Sequence, residues 1–411
     1  MQLGRHVAGV TFALGLVACS HPGPDQNVHG TDAPDAGGSD IGVDAGSNTT
    51  PFSVVGVPLA GCFNTHTVTT VIGGQSFALN VDTGSSSLGV AASNCAQCTN
   101  VTPLYTPGAT ATDLHETVSS QFDTGELGWS GEGYEDTVAI GGLGVPVDFA
   151  AIAMQTSYFF DPNNCPTQNG DVPANYEGII GFGPEGLLIA GTTQYQGALA
   201  KSGAPDVFAL DFCNTGGELW LGGYDPSVLT GPMQYTDMDS QGLYSVDWTE
   251  LTIGSGAPIA MTAPTAMLDS GGAPIIVPDA AFNTIASTLE ADPNVASTLG
   301  ATWFSATANA FANCVTLTST PAQIDALLPP LEFTFGATNP IQVTLQATES
   351  YLLYYYVSPT QVTYCQNVID GQATYGGNFY YLGQTLMNDH VVVHDRANHR
   401  VGFAPTSRCG T

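Results

Sequence analysis

Leu79-Asn80-Val81-Asp82-Thr83-Gly84-Ser85 and Ala266-Met267-Leu268-Asp269-Ser270-Gly271-Gly272 decide the fold. Each carries an apolar run into an aspartate, then a hydroxyl residue and a glycine. Met once, such an aspartate is an Asx-turn. Met twice in one context, it marks a duplicated unit. A second echo follows each stretch: Ile179-Ile180-Gly181 closes 99 residues after Asp82, and Tyr381-Leu382-Gly383 closes 114 residues after Asp269. The pattern predicts two halves related by a pseudo-two-fold axis, each supplying one carboxylate.

Outward from these stretches the chain reads as all-β. Short apolar runs such as Val68 to Ile72, Phe77 to Val81, Thr137 to Ile140, Val207 to Phe212 and Val391 to Val393 alternate with turns. The 49 Gly and 26 Pro supply those turns. One helix is predicted over Asp279 to Leu289, with Asp279 as N-cap and Phe282, Ile285 and Leu289 on one face. The 411 residues suit two lobes, and 43% hydrophobic content is enough to fill them. The charge is one-sided, 36 Asp plus Glu against 5 Lys plus Arg, net −31. That excludes a nucleic-acid binder, which needs clustered cations to displace phosphate counterions. It equally excludes charge-driven adsorption to anionic lipid.

The N-terminus reads as an address. Arg5 and His6 precede an apolar run, Val7 to Val17, too short to span a bilayer. Residues 1–18 are read as a signal peptide. Leu16-Val17-Ala18-Cys19 resembles a bacterial lipobox, which makes Cys19 the lipidated N-terminus. Residues 19–50 form a Gly/Asp/Ser/Pro tether that cannot bury apolar surface. Residues 51–212 and 213–411 are then an N-terminal and a C-terminal lobe. The expected location is outside the cytoplasm, lipid-anchored in a bacterial outer membrane on its periplasmic or surface face. No other membrane contact is expected, and the protein is read as a monomer. Cys62, Cys95, Cys98, Cys165, Cys213, Cys314, Cys365 and Cys409 remain, an even set that in an exported chain reads as disulfides. Cys95 and Cys98 also have redox spacing, but sit in a Ser/Asn-rich loop rather than at a helix start.

From Pro51 to Cys409 the chain resembles the pepsin-like aspartic proteases. The resemblance rests on the two aspartate loops, on Leu219-Trp220-Leu221-Gly222-Gly223-Tyr224-Asp225 between the halves, and on His394-Asp395-Arg396 through Val401-Gly402-Phe403-Ala404 near the end. It implies a bilobal fold of two β-barrel-like lobes joined by an inter-lobe sheet. It implies Asp82 and Asp269 as catalytic carboxylates and protein or peptide substrates. Thr83 and Ser270 would bond across the lobes, Gly84 and Gly271 would bring backbone N–H groups to the carboxylates, and Ser85 would donate to Asp82. It also implies pairing of Cys314 with Cys365 and of Cys213 with Cys409. Cys95–Cys98 would close its own loop, which leaves Cys62 with Cys165.

Two carboxylates held close cannot both ionise cheaply, so they share one proton over a broad acidic range. The ionised partner can activate water while the protonated one polarises a carbonyl. No cofactor is needed. No metal is expected either: His390, His394 and His399 are suggestively spaced, but a strand through Val391 to Val393 puts His390 and His394 about 13 Å apart. There are departures from the family. Phe122 falls where a flap Tyr is expected, with Gly125 in the flap turn, and Gly89 falls where its Trp partner is expected. Trp129 and Tyr134 are candidates to compensate. Gly272 lacks the hydroxyl that would donate to Asp269, so the Asp269 pKa is expected to rise. Gln384 stands where Asp or Ala is frequent. The altered flap leaves an alternative open, a non-catalytic peptide-binding or inhibitor-like lipoprotein on the same fold.

Overall fold

The computed structural model describes residues 52–62, 65–122, 127–156, 160, 164–239, 243–261, 265–307, 313–375 and 380–409. The signal segment, Cys19, the tether and Gly125 lie outside them.

The duplicated sequence pattern is a duplicated strand pairing. Gln75–Asp82 pairs antiparallel with Thr67–Ile72 and parallel with Gly178–Gly181, placing Gly181 opposite Asp82. Gly178–Gly181 also pairs antiparallel with Leu88–Ala91, which runs parallel to Leu143–Gln155. The second half repeats this. Thr265–Leu268 pairs antiparallel with Ser245–Ile253 and parallel with Tyr380–Leu382, with Leu268 opposite Leu382. Tyr380–Leu382 pairs antiparallel with Ile275–Val277, which runs parallel to Val368–Asp370. These inner strands are buried on both faces, which is why they read as unbroken apolar runs rather than alternating ones.

A shared sheet joins the halves. Val207–Phe212 lies between Gly217–Leu221 and His390–Asp395, and Gly217–Leu221 pairs with Val55–Ala60. The first described strand therefore meets strands from the middle and near the end of the chain in one layer. Across it the Phe208 ring stacks on His394 at 4.5 Å, and the Tyr244 hydroxyl donates to the Phe182 carbonyl at 2.8 Å. Three of the scarce cations secure this region. Arg396 meets Asp206 at 3.5 Å, Arg400 meets Asp395 at 2.7 Å, and Arg408 meets both Asp211 at 3.1 Å and Glu218 at 3.0 Å.

The predicted helix is Asp279–Glu290, with Phe282, Ile285 and Leu289 buried. Its N-cap is Pro278 rather than Asp279. The proline's extended backbone ends the preceding strand, so Asp279 becomes the first helical residue. There its carboxylate still favours the helix dipole, and it accepts from Asn283 Nδ2 at 2.7 Å.

Four disulfides are present: Cys62–Cys165, Cys95–Cys98, Cys213–Cys409 and Cys314–Cys365. The first and third span 103 and 196 residues. Loops of that size restrict the unfolded chain by about 4–5 kcal/mol per bridge in the chain-entropy description. Disulfides persist in oxidising compartments, so the protein is an extracytoplasmic one. No helix among the described residues is long and apolar enough to cross a membrane.

A second group of acids lies away from the paired aspartate loops. Glu349 is pushed up to about 8 by burial and then by the charge and hydrogen bond of Asp389, with the charge of Asp325 adding to it, against an opposing N–H bond from Gln346. Asp389 is itself raised, first by burial. A carboxyl whose folded pKa is raised stabilises the fold while protonated and loses that contribution as pH rises through the folded pKa. Stability should therefore fall by about a few kcal/mol between the ordinary carboxylate range and about pH 8. Glu349→Gln should flatten that decline in urea titrations run across this range. An unchanged pH dependence would exclude Glu349 as its source.

Candidate active site

The paired strands deliver Asp82 and Asp269 to one place, where they are 6% and 5% exposed. The residues after each aspartate lock the loops together reciprocally. The Thr83 N–H donates to Ser270 Oγ at 2.9 Å, and the Ser270 N–H donates to Thr83 Oγ1 at 2.9 Å. Each hydroxyl then donates across the interface, Ser270 to the Val81 carbonyl at 2.8 Å and Thr83 to the Leu268 carbonyl at 3.3 Å. All four groups are buried, so the pattern is fully satisfied where loss of one partner would be costly.

Glycine is obligatory next. A Cβ on Gly84 would lie 2.2 Å from Asp269 Oδ2, and one on Gly271 would lie 2.6 Å from Asp82 Oδ1. Each loop's glycine thus makes room for the other loop's carboxylate. The backbone N–H groups that come with this approach bind the near carboxylates: Gly84 N–H to Asp82 Oδ1 at 2.8 Å and Gly271 N–H to Asp269 Oδ1 at 2.7 Å. Ser85 Oγ donates to Asp82 Oδ2 at 2.5 Å. Gly272, three residues after Asp269, has no such group.

The Asp269 pKa is raised well above the usual carboxylate range. Burial is the main cause, the charge of Asp82 the next, and a hydrogen bond shared with the Asp82 carboxyl adds to it. The Gly271 N–H and the Tyr381 hydroxyl act in the opposite direction. The rise was expected from the hydroxyl missing at Gly272, but burial and charge are its larger origin.

Phe122 ends the strand Thr112–Phe122 and packs against a cluster that includes Val118, Trp129, Ile152 and Ile179. Trp129, from the strand Leu127–Ile140, is 4% exposed. A Cβ on Gly89 would lie 3.1 Å from its Cζ2. An indole is therefore supplied to the space beside Gly89 from the next strand but one, beyond Leu143–Gln155. Tyr134 packs instead against Tyr105, with ring centroids 6.4 Å apart.

Sequence reading missed His66. Its ring is buried, Nε2 meets the Cys213 carbonyl at 2.9 Å, and Nδ1 meets the Gln384 side-chain amide at 3.3 Å. Burial lowers its pKa to about 4. It ties the first half to the turn that follows Gly383, which is why an amide rather than an acid suits position 384. The departure at Gln384 was the one signal pointing there.

His390 and His394 are both buried in one strand, and His394 is held by its stack on Phe208. Asp211, Cys213 and Cys409 come together near the shared sheet, but both cysteines are tied to each other in a disulfide and offer no thiolate.

The reciprocal bonds make a stability prediction. Thr83→Ala and Ser270→Ala should each cost about 1–3 kcal/mol. The double variant should cost less than the sum, because each single change already strands its partner. Denaturant midpoints of the three variants measure this, and strict additivity would mean that the two hydroxyls act independently.

The family model for eukaryotic aspartyl proteases matches residues 66–406. An aspartic protease of Phaffia rhodozyma is 26% identical over 340 residues, covering 82% of this chain and 75% of that protein. Pepsin-2B of Gadus morhua is 24% identical over 350 residues, 81% of this chain and 93% of its own length. Cathepsin D of Chionodraco hamatus is 25% identical over 343 residues, 80% and 78% of the two chains. With the duplicated strands, the shared sheet and the facing aspartate loops, the match over most of its length makes this chain a bilobal member of the pepsin-like aspartyl protease family.

Proposed function

We propose that the protein is an aspartic endopeptidase that hydrolyses peptide bonds of protein or peptide substrates at acidic pH. The observation that carries this reading is the mutual fit of the loops, in which each glycine is kept bare by the opposite carboxylate. Nothing structural requires two buried acids to face each other, and their repulsion is a cost unless they share a proton. Asp269, with its raised pKa, holds that proton. The ionised carboxylate then takes a proton from a water placed between the two. The resulting oxygen attacks the substrate carbonyl while the Asp269 proton moves to the carbonyl oxygen. Asp82 then passes the proton it took from water to the leaving nitrogen, and as the tetrahedral intermediate collapses one of its hydroxyls returns a proton to Asp269. Activity is lost at low pH when both carboxyls are protonated, and lost again as pH rises through the elevated Asp269 pKa.

In this reading residues 51–212 and 213–411 are the two lobes, the protein acts as a monomer, and no metal takes part. Residues 1–18 are removed, Cys19 is lipidated, and residues 19–50 tether the enzyme to a bacterial outer membrane. Mass spectrometry of the mature N-terminal peptide tests this last part. An acylated Cys19 supports it, and an unmodified peptide beginning elsewhere excludes it.

Hydrolysis of acid-denatured haemoglobin or casein over roughly pH 2–7, with and without pepstatin, tests the activity. Asp82→Asn and Asp269→Asn should each lower turnover by about a thousandfold or more while thermal unfolding stays cooperative. A protein that binds pepstatin but shows no cleavage above the level of these variants would be a peptide binder on a protease fold.

A further inference from the structure

A hairpin is rooted beside each aspartate loop, and the two hairpins meet. In the first half, Asn164–Thr167 pairs antiparallel with Gly170–Pro173. The chain approaches this hairpin from beside the strand Leu127–Ile140, where the Thr156 N–H donates to the Gly128 carbonyl at 3.0 Å. It leaves toward the strand that delivers Asp82, where the Glu177 N–H donates to the Ala78 carbonyl at 2.9 Å. The Cys62–Cys165 disulfide ties the hairpin down a third time. Just after Cys62, the His66 carbonyl accepts at 2.9 Å from the Val81 N–H, directly before Asp82. In the second half, Leu352–Ser358 pairs antiparallel with Gln361–Gln366, and Cys365 is tied to Cys314. Directly after this hairpin, the Asn367 carbonyl accepts from the Ile275 N–H at 2.9 Å, just past the Asp269 loop.

Asn164–Thr167 packs on Leu352–Ser358, and residues 167–171 and 356–359 at the tips line a cavity of about 700 Å³ between them. Both hairpins lie outside the shared sheet, so this is a further contact between the halves. A peptide held over both aspartates has to run between the halves. A hairpin from each half, rooted next to each loop, then stands across its path on one side. We propose that these hairpins wall off one end of the substrate cleft, the end that receives the substrate's amino terminus, so that peptides cut close to that terminus are preferred. This rests on reading Asp82 and Asp269 as the catalytic pair, and it names the substrate class of that site. Charge decides which end is closed. Among the described residues, Asp171 is the one charged side chain lining the cavity. A chain that stops at the wall leaves its terminal group there, where Asp171 attracts an ammonium and repels a carboxylate. A long chain has to bend away before the wall and gives up contacts that a short peptide keeps.

The test is calorimetric binding of pepstatin to the full chain, with the ligand lengthened at either end by about four residues, roughly 13 Å of extended chain. Lengthening the acyl end, which corresponds to a peptide's amino terminus, should weaken binding by about tenfold or more. Lengthening the carboxyl end should change it by no more than about twofold. Replacing residues 166–171 by Asn-Gly, a two-residue turn that keeps the Cys165–Val172 pair, should remove the penalty at the acyl end. Equal tolerance at both ends, or a penalty at the carboxyl end instead, would overturn the proposal. So would a penalty that survives in a trimmed protein unfolding as cooperatively as wild type. The contact between the hairpins is read without any ligand. In Ser358→Lys, a carbodiimide should couple the introduced amine to the Asp171 carboxyl as an amide. Peptide mapping that finds residues 171 and 358 joined supports the wall, and their separation in folded protein overturns it. Wild-type protein that binds no pepstatin would sink the proposed activity, while the coupling still reports whether the hairpins meet.

Discussion

Two carboxyl groups pressed together out of water are the constraint on which the molecule depends. Burial alone already pushes such a group toward its neutral form, and it is the larger influence on Asp269. Facing each other, they repel strongly once both are charged, because little solvent remains to screen them. The fold answers with rigidity rather than with countercharge. The Thr83 and Ser270 hydroxyls each accept from the opposite loop's backbone and donate back across it. The loops cannot relax apart without breaking four buried hydrogen bonds. The scarce cations sit elsewhere, stapling the C-terminal segment to the shared sheet. The dyad is governed by burial and hydrogen bonds, with no positive side chain among the influences on Asp269.

Around that centre, parts have changed their place in the chain without changing their place in space. An indole fills the space over Gly89, but it comes from Trp129 on a different strand. The Tyr381 hydroxyl, on the strand paired beside the second loop, meets the main-chain carbonyl of Asp269 at 3.5 Å. The His66 contact with Gln384 belongs to the same pattern, a neutral buried pair at a turn directly after the inner strand.

The centre of the site was legible in the sequence because it is local and repeated. Asp82, Thr83 and Gly84 are consecutive, as are Asp269, Ser270 and Gly271, and the second copy removed the ambiguity of the first. The inner strands were legible as unbroken apolar runs. The substitutes were not, because they reach the loops from far along the chain. Tyr381 lies 112 residues from Asp269, and Gln384 lies 318 residues from His66. Each looked like an ordinary core or turn residue in its own neighbourhood. The helix cap failed for a local reason. Pro278 and Asp279 are both suited to a helix start, and the proline's fixed backbone took the cap and pushed the acid into the first turn.

The central claim is that the two aspartates hold a single proton between them, carried by Asp269. Neutron diffraction from deuterated crystals grown at about pH 5, where an ordinary carboxyl is mostly ionised, observes this directly. The account predicts one deuteron at the pair, bound to an Asp269 oxygen and directed toward Asp82. Two bare carboxylates at that pH, or carboxyls too far apart to share a hydrogen bond, would contradict it.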